Sequence, residues 1–347
     1  MSPTPRWVVL KFGGTSVSSR TNWDNIATVV GSRLAAGWRV LVVHSAVSGI
    51  TDRLERLLAA AGPLLGVALF VAAFAILHHE LAAHDYRDVL AHIGAIPPHQ
   101  VGLAFALTAL GYFSLTGYDA LAFRWIRNPL SYPRIALASF IAYVFSHNVG
   151  LSFLGGSAVR YRMFSSWGIK AGELARIIPF NVSTFWLGFV ALAGSVSLFD
   201  PLVLPGDWHP FIRSSRPIGI VLLALLALYV SQSFRHRRTI SILEHEVELP
   251  GPGITALQVT ISAIDWTLAA SVFYALLPAA SGLSFVEVLG AFLLAQVTGV
   301  VSHVPAGLGV FETMMVLLLA PWLSGDAVLA SALAYRLVYY LLPLLIA

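Results

Sequence analysis

The sequence predicts an all-α polytopic membrane protein, with re-entrant or broken helices, preceded by a small α/β fragment. Of its 347 residues, 57% are hydrophobic and 11% are charged, and the mean hydropathy is +0.79. Soluble domains carry a charge on about a quarter of their residues. Long charge-poor stretches indicate about 8 spans, because about 20 apolar residues suffice to cross a bilayer. The predicted domains are residues 1–61, a β-α-β fragment, and residues 62–347, the membrane domain.

The composition also excludes several kinds of site. The chain has no cysteine, which excludes disulfides, thiolate catalysis and cysteine metal sites. No third ligand stands at helical spacing beside His147 or His303, so we expect no metal. The net charge of +4 is modest for a membrane protein with basic loops and gives no support for nucleic-acid binding. No apolar segment of signal-peptide length follows Met1, so we expect the N-terminus to stay in the cytoplasm.

The first part of the chain has a β-α-β pattern. The runs 7–10 and 39–43 favour β-strands, and residues 22–36 between them have apolar side chains at helical spacing. The loop Lys11-Phe12-Gly13-Gly14-Thr15-Ser16-Val17 follows the first strand. Its glycines allow the backbone to approach a phosphate, its lysine supplies a positive charge, and its hydroxyl groups supply further hydrogen bonds. A pair of glycines alone more often makes only a turn.

This loop and the string VVHSAVSGITD at 42–52 together resemble the start of the aspartokinases, members of the amino-acid kinase family. The resemblance implies that one group of residues faces the ATP phosphates, namely Lys11, Gly13 and Gly14. It further implies that Thr15 and Ser16 lie near the aspartate site and that Ser45 begins a second glycine-containing loop. ATP is therefore a cofactor only if this fragment is functional.

The resemblance ends near Ala61, before most of an aspartokinase. A β-α-β piece of about sixty residues cannot cover both faces of its parallel strands, so much of its apolar surface stays in water. We therefore expect a non-catalytic remnant, with aspartate kinase activity as the alternative function.

Charge-poor stretches follow one another through the rest of the chain. They predict membrane helices because a charged residue at the centre of a span costs about 2.5–3.5 kcal/mol. The candidate spans are 57–77 with its helix beginning near Gly62-Pro63, 100–122, 135–156, 174–199, 217–233, 254–278, 284–301, 308–322 and 327–346. The chain ends inside the last of them, which is compatible with a C-terminally truncated membrane domain.

The lysines and arginines predict the topology. Three basic segments are expected in the cytoplasm, namely 33–56, 124–134 and 235–238. If 135–156 crossed the bilayer fully, Arg160, Arg162 and Lys170 would lie outside, against this bias. We therefore favour a helix that is re-entrant or broken near 148–150 or 155–156, where protein can cover the freed backbone groups. A plain span that departs from the statistical rule is the alternative.

A second interruption is expected between residues 301 and 312. Pro305 and the glycines after it would break a helix there, and Ser302-His303 repeats the Ser146-His147 start of the first break. Broken helices at corresponding places in two halves of a transporter point to a site at their interface. Chance similarity of the two segments is an equal alternative.

Four ordered motifs carry a second resemblance. They are LTGYD at 115–119, GGSAVRYR at 155–162, SHVPAGLGVFE at 302–312 and YRLVYYLLP at 335–343. Together they resemble the flippase domain of the bacterial multiple peptide resistance factor, in the lysylphosphatidylglycerol synthetase family. The resemblance implies an inner-membrane protein that moves lysylphosphatidylglycerol, or another aminoacylated phosphatidylglycerol, to the outer leaflet. Such lipids weaken the adsorption of cationic antimicrobial peptides because they reduce the negative charge of the surface.

Ionisable residues within or near the spans are the transport candidates. The arginines suit a lipid phosphate, which a guanidinium binds bidentately, and the carboxylates suit lipid amines. Mutual salt bridges, such as Glu312 with Arg336, are an equal alternative. Histidines suit a proton-linked role, although helix capping is commoner. The candidates are Asp119, Arg160, Arg162, Asp265, His303, Glu312 and Arg336.

The expected partners are aminoacylated phosphatidylglycerol and bilayer lipids, and not nucleic acid. The motifs for the soluble lipid-synthase part of that family are not found here, so we do not expect this chain to make the lipid. A third possible function is a membrane scaffold that needs a separate synthase. Association with a second copy of the chain is also compatible with the sequence.

Overall fold

The computed structural model describes residues 7–13, 20–44, 86–149, 152–200, 214–235, 239–242, 245–279, 282–302 and 304–347. The chain divides into two compact units, residues 1–68 and 69–347. The domain boundary expected at residues 61 and 62 lies outside the described ranges and stays a prediction. The candidate span 57–77 also lies outside them.

The first unit has the β-α-β arrangement that the sequence predicts. Its elements are β1 (Trp7–Phe12), α1 (Arg20–Ala35) and β2 (Arg39–His44). The two strands pair in parallel, with Trp7 opposite Arg39. Apolar side chains remain exposed on both strands, alternately along β1 and at three consecutive residues of β2, including Val9 at 62% and Leu41 at 50%. One face of this small sheet is therefore uncovered, as the core-size argument requires.

The second unit is helical in its described ranges, apart from an antiparallel hairpin of β3 (Thr239–Ile242) and β4 (His245–Glu248). Its first helices are α2 (Tyr86–Ala95), α3 (Pro98–Ile126), α4 (Tyr132–Val149), α5 (Ser152–Ser166), α6 (Ala171–Phe199) and α7 (Arg216–Ser233). After the hairpin come α8 (Pro252–Leu276), α9 (Phe285–Val301), a 3-10 turn (Pro305–Gly307), α10 (Val310–Leu319) and α11 (Gly325–Arg336). A π-helical turn (Leu337–Leu341) joins α11 to α12 (Leu342–Ile346).

Within the described ranges, five helical stretches are long and apolar enough to cross a membrane: α3, α6, α7, α8 and the continuous segment Gly325–Ile346. The helices α9 and α10 have 17 and 10 residues. At 1.5 Å per residue they reach about 25 and 15 Å, short of the roughly 30 Å hydrocarbon core. The candidates 284–301 and 308–322 are therefore shorter helices than a full span requires.

The helices α4 and α5 form the first of two helical hairpins. The first helix ends at Val149 and the second begins at Ser152, so the expected span 135–156 is broken close to 148–150. The two helices pack together at Gly156, where a Cβ atom would lie 2.0 Å from the Ser146 hydroxyl and 2.9 Å from the Ala142 carbonyl. Only glycine allows this approach.

A second helical hairpin joins α9 and α10. The backbone between them has positive φ angles at Ala306, Gly307 and Gly309, of 52°, 60° and 80°. The interruption expected in 301–312 is thus present. Glycine adopts such angles at no steric cost, whereas alanine does so only where its surroundings hold it.

Small residues allow the long helices to pack closely. A Cβ atom on Gly188 of α6 would lie 2.3 Å from the backbone carbon of Ser262 on α8. One on Gly219 of α7 would lie 2.8 Å from the carbonyl oxygen of Gly194 on α6. Close backbone approach at small residues is typical of membrane helix pairs. Outside these contacts, α7 exposes Ile220 and Leu225 by 55% or more, as a lipid-facing helix does.

Candidate functional site

Asp119 on α3 is the centre of a buried polar network. Its side chain is fully buried and accepts hydrogen bonds from three helices. Arg160 on α5 donates its Nε to Oδ1 at 2.9 Å and its Nη2 to Oδ2 at 3.0 Å. Asn181 on α6 donates its Nδ2 to Oδ1 at 2.6 Å, and the hydroxyl of Ser139 on α4 donates to Oδ2. This single carboxylate therefore ties four helices together.

The buried guanidinium of Arg160 contacts both a carboxylate and an aromatic ring. The side chain is 6% exposed, and its Cζ lies 4.4 Å from the ring centroid of Tyr143. A buried guanidinium is stabilised by bidentate pairing with a carboxylate and by contact with the face of an aromatic ring. Arg160 has both. We conclude that Asp119 and Arg160 hold the first hairpin in place.

A second ion pair stabilises the second hairpin. Glu312 on α10 is 2% exposed and is paired with the Nε of Arg336. The same guanidinium donates to the carbonyl oxygens of Ala306 at 3.1 Å and Gly307 at 3.3 Å. The other oxygen of Glu312 accepts the backbone N–H of Gly309 at 2.8 Å. The salt bridge that the sequence offered as an alternative is present, and it satisfies backbone groups of the broken segment.

Asp265 on α8 differs from these two carboxylates. It is 5% exposed, and its Oδ2 accepts a hydrogen bond from the hydroxyl of Tyr118 at 3.0 Å. Its Oδ1 is buried without a hydrogen-bond partner in the described part of the chain. A buried polar atom of this kind is rare, because the lost hydration is not replaced.

An aromatic cluster surrounds the end of the first hairpin. The hydroxyl of Tyr112 lies 3.3 Å from Nδ1 of His147 and donates to the carbonyl of Tyr339 at 3.1 Å. The rings of Tyr339 and Tyr340 both lie 5.8 Å from that of His147. The π-helical turn that carries these tyrosines is a feature often found at functional sites. Aromatic residues near membrane interfaces most often have a packing or interfacial role.

A groove of about 370 Å³ lies between α3 and α8. Its lining is mostly apolar and contains one arginine, at the end of α3: the residues are Gly117, Ala120, Leu121, Arg124, Leu257, Thr260, Ile261 and Ile264. The groove residues adjoin Tyr118, Asp119 and Asp265 in sequence. An elongated apolar ligand with an anionic end matches this combination of walls and charge.

The structure separates the remaining site candidates. Arg162 is exposed on α5, away from the network around Arg160. Lys11 lies in β1, and the position of a Cβ atom on Gly13 has no neighbour within 4 Å. No group of three metal-binding side chains occurs among the described residues. The other candidates lie outside the described ranges: Gly14, Thr15, Ser16, Ser45 and His303.

Sequence reasoning missed several members of the site. Asn181 is an amide inside the apolar helix α6, a signal that could have identified it. Tyr118 stands in a motif that was recognised, although no role was assigned to it. Ser139 and Arg124 resemble many other serines and loop arginines, so only their positions in the fold identify them.

Comparison with known proteins places this arrangement among relatives. The family model described as the lysylphosphatidylglycerol synthase TM region matches residues 57–347. The uncharacterized protein slr0712 of Synechocystis is 37% identical over 280 residues, which cover 81% of this chain and 87% of that protein. The inner membrane protein YbhN of Escherichia coli is 33% identical over 247 residues, or 70% of this chain and 76% of that protein. A phosphatidylglycerol lysyltransferase of Staphylococcus haemolyticus is 25% identical over 302 residues, only 34% of its own length.

Proposed function

Because the chain belongs to the family of the lysylphosphatidylglycerol synthase transmembrane region, we propose that it moves an aminoacylated phosphatidylglycerol across the bacterial inner membrane. The chain is a membrane protein of this family, and one relative is by name an inner membrane protein. Some relatives are named phosphatidylglycerol lysyltransferases and match over about a third of their length, and that name is the reason to propose an aminoacylated lipid as the substrate. Resistance to cationic antimicrobial peptides would follow from movement of that lipid to the outer leaflet.

The groove between α3 and α8 is the observation that carries this proposal. Two of its side chains, Leu257 and Ile264, are 44% and 48% exposed, so an acyl chain can enter from the side. Arg124 then lies where a guanidinium can bind the lipid phosphate. Asp265, on the helix that forms one wall, offers a carboxylate for a lipid amine. The two charges match the two parts of an aminoacylated headgroup.

The hairpins give the topology that the basic residues require. If the five long helical stretches cross and both hairpins return to the face from which they start, α3 ends on the same face as α5 and α7. The basic residues near those ends, such as Arg124, Lys170 and Arg235, then share one face. By the positive-inside rule that face is cytoplasmic.

Single cysteines in this cysteine-free chain test the topology. Ser131→Cys precedes α4, Lys170→Cys follows α5 and Asp200→Cys follows α6. We expect a membrane-impermeant maleimide to label the Asp200 variant in intact spheroplasts and the other two only after lysis. Labelling of the Lys170 variant, but not the Ser131 variant, in intact spheroplasts would mean that α4 and α5 cross the membrane together.

Lipid movement is tested in vesicles that contain the purified chain and fluorescent lysylphosphatidylglycerol. We expect leaflet exchange above that of empty vesicles, and about a tenfold loss of rate in Arg124→Gln, because a hydrogen bond to a charged group contributes about 1.5–3 kcal/mol. Arg216→Gln removes another exposed arginine, at the start of α7, and is the matched control. Equal rates for the two variants would remove Arg124 from the lipid path. No exchange above empty vesicles would favour the scaffold.

A further inference from the structure

Among the residues that the structure describes, Asp265 is a buried carboxylate without a paired cation. Asp119 is paired with Arg160 and Glu312 with Arg336. Asp265 is just as deeply buried, yet its neighbour is the hydroxyl of Tyr118, and its Oδ1 has no hydrogen-bond partner among the residues the structure describes. A carboxylate ion is costly at membrane depth without a counter-charge. This position is therefore stable when it holds either a proton or a cation.

The groups that face Asp265 in the described ranges do not supply that cation. Arg160, on the far side of Tyr143, is already bound to Asp119. The α6 groups that contact α8 next to Asp265 are the carbonyl of Phe185 and Gly188, and neither titrates. The remaining titratable groups are phenols and one imidazole: Tyr112 and Tyr118 on α3, Tyr143 and His147 on α4, Tyr229 on α7, Tyr335 on α11 and Tyr339 on the π-helical turn.

We propose that Asp265 binds a proton and the ammonium group of an aminoacyl lipid in alternation, so that lipid leaves the inner leaflet in exchange for a proton that enters. This inference rests on the proposed lipid translocation and adds its energy source. On the cytoplasmic side the carboxylic acid loses its proton to water, and the carboxylate binds the ammonium. On the outer side the ammonium leaves and a proton from water replaces it. Each cycle moves one lipid outward and one proton inward, and no covalent bond of the lipid changes.

The charges favour such an exchange. Lysylphosphatidylglycerol carries one phosphate and two ammonium groups, hence one net positive charge. Outward movement of one positive charge against an inside-negative potential costs free energy in proportion to that potential. Inward movement of a proton offsets this cost, so the potential no longer opposes the export. A carboxylate that holds one cation at a time couples the two movements.

The location of Asp265 also suits a lipid headgroup. Ile261 and Ile264 lie on the same helix and line the groove between α3 and α8. Ile261 packs against Gly117, the residue before Tyr118, at a distance that leaves no room for a Cβ atom. Tyr118 and Asp265 follow the wall residues Gly117 and Ile264 in the two helices and are themselves buried, so a lipid in the groove lies against the helices that carry the pair.

Infrared spectroscopy of the chain in lipid nanodiscs tests the proton. We expect a carbonyl band of a protonated carboxylic acid that disappears in Asp265→Asn, since the amide keeps an oxygen that can accept from Tyr118. Asp88→Asn, which removes an exposed carboxylate on α2, should retain the band. Lysylphosphatidylglycerol, but not phosphatidylglycerol, should diminish it. A band that survives in the Asp265 variant, or that neither lipid changes, would overturn the inference.

Vesicles with a pH gradient test the coupling. For one proton per lipid, a gradient of one pH unit should shift the steady-state lipid ratio between the leaflets about tenfold in wild type. Asp265→Asn should lose this response, and Asp88→Asn should keep it. Wild-type exchange that ignores the gradient would overturn the proton coupling and leave the translocase standing. No lipid movement at all, with or without a gradient, would overturn the translocase and with it the exchange.

Discussion

Replacement of Arg160 by methionine is expected to lower the free energy of unfolding by about 3–5 kcal/mol, because it leaves the Asp119 carboxylate buried without its counter-charge. Asp119 on α3 accepts hydrogen bonds from α4, α5 and α6. Loss of the Arg160 partner therefore affects the packing of all four helices. The measurement is the thermal unfolding midpoint of the detergent-purified chain, with the yield of monodisperse protein as a second readout.

Two further variants distinguish the effect of breaking the ion pair from the effect of removing any arginine on this helix. Arg162→Met changes an exposed arginine two positions along the same helix, and we expect little effect. Asp119→Leu combined with Arg160→Met removes both charges, and we expect it to recover part of the lost stability, because no charge is left buried alone although Ser139 and Asn181 lose their acceptor. Equal unfolding midpoints for the single Arg160 and Arg162 variants would contradict the buried network.

Replacement of Gly188 by alanine is expected to prevent α6 from packing on α8. The added Cβ atom would lie 2.3 Å from the backbone carbon of Ser262 and 2.4 Å from its Cβ, so the two helices must separate. Overpacking of a core commonly costs about 1–3 kcal/mol, and a clash with backbone belongs at the upper end or beyond. The separation would also stretch the hydrogen bond from Ser262 to the Phe185 carbonyl.

Gly172→Ala is the matched control for this variant. It lies in the first turn of the same helix, and no atom lies within 4 Å of the position of its Cβ. Alanine favours helix over glycine by about 1 kcal/mol, so this variant should fold at least as well as wild type. The measurement is the fraction of membrane-extracted protein that elutes as a folded species. A Gly188 variant that behaves like the Gly172 variant would contradict the close crossing of α6 and α8.

The general class of the fold was predictable from composition, but the lengths of the helices were not. Hydropathy reports that 284–301 and 308–322 are apolar, and it cannot show that the second contains a helix of only 10 residues. The two breaks were predictable because proline, glycine and the charge of the flanking loops act locally. The way each pair of helices folds together depends on contacts such as Gly156 with Ser146, which link distant parts of the chain.

The site was predictable in its charges and not in its geometry. An ionisable residue at membrane depth needs a partner, which is why a Glu312–Arg336 salt bridge was one of two alternatives, and the structure contains this bridge. Arg160 and Arg162 were treated alike, although residues two apart point to different sides of a helix, and the structure buries only the first. The isolation of Asp265 depends on which groups surround it in three dimensions, and no pattern along the chain contains that information.

The central claim is that an aminoacylated phospholipid crosses the bilayer through the helices of the second unit. The most direct test is the rate at which fluorescent lysylphosphatidylglycerol changes leaflet in vesicles with the purified chain, relative to protein-free vesicles. The account requires exchange that increases with the amount of folded wild-type chain. Exchange equal to that of the protein-free vesicles at every amount of chain would contradict it.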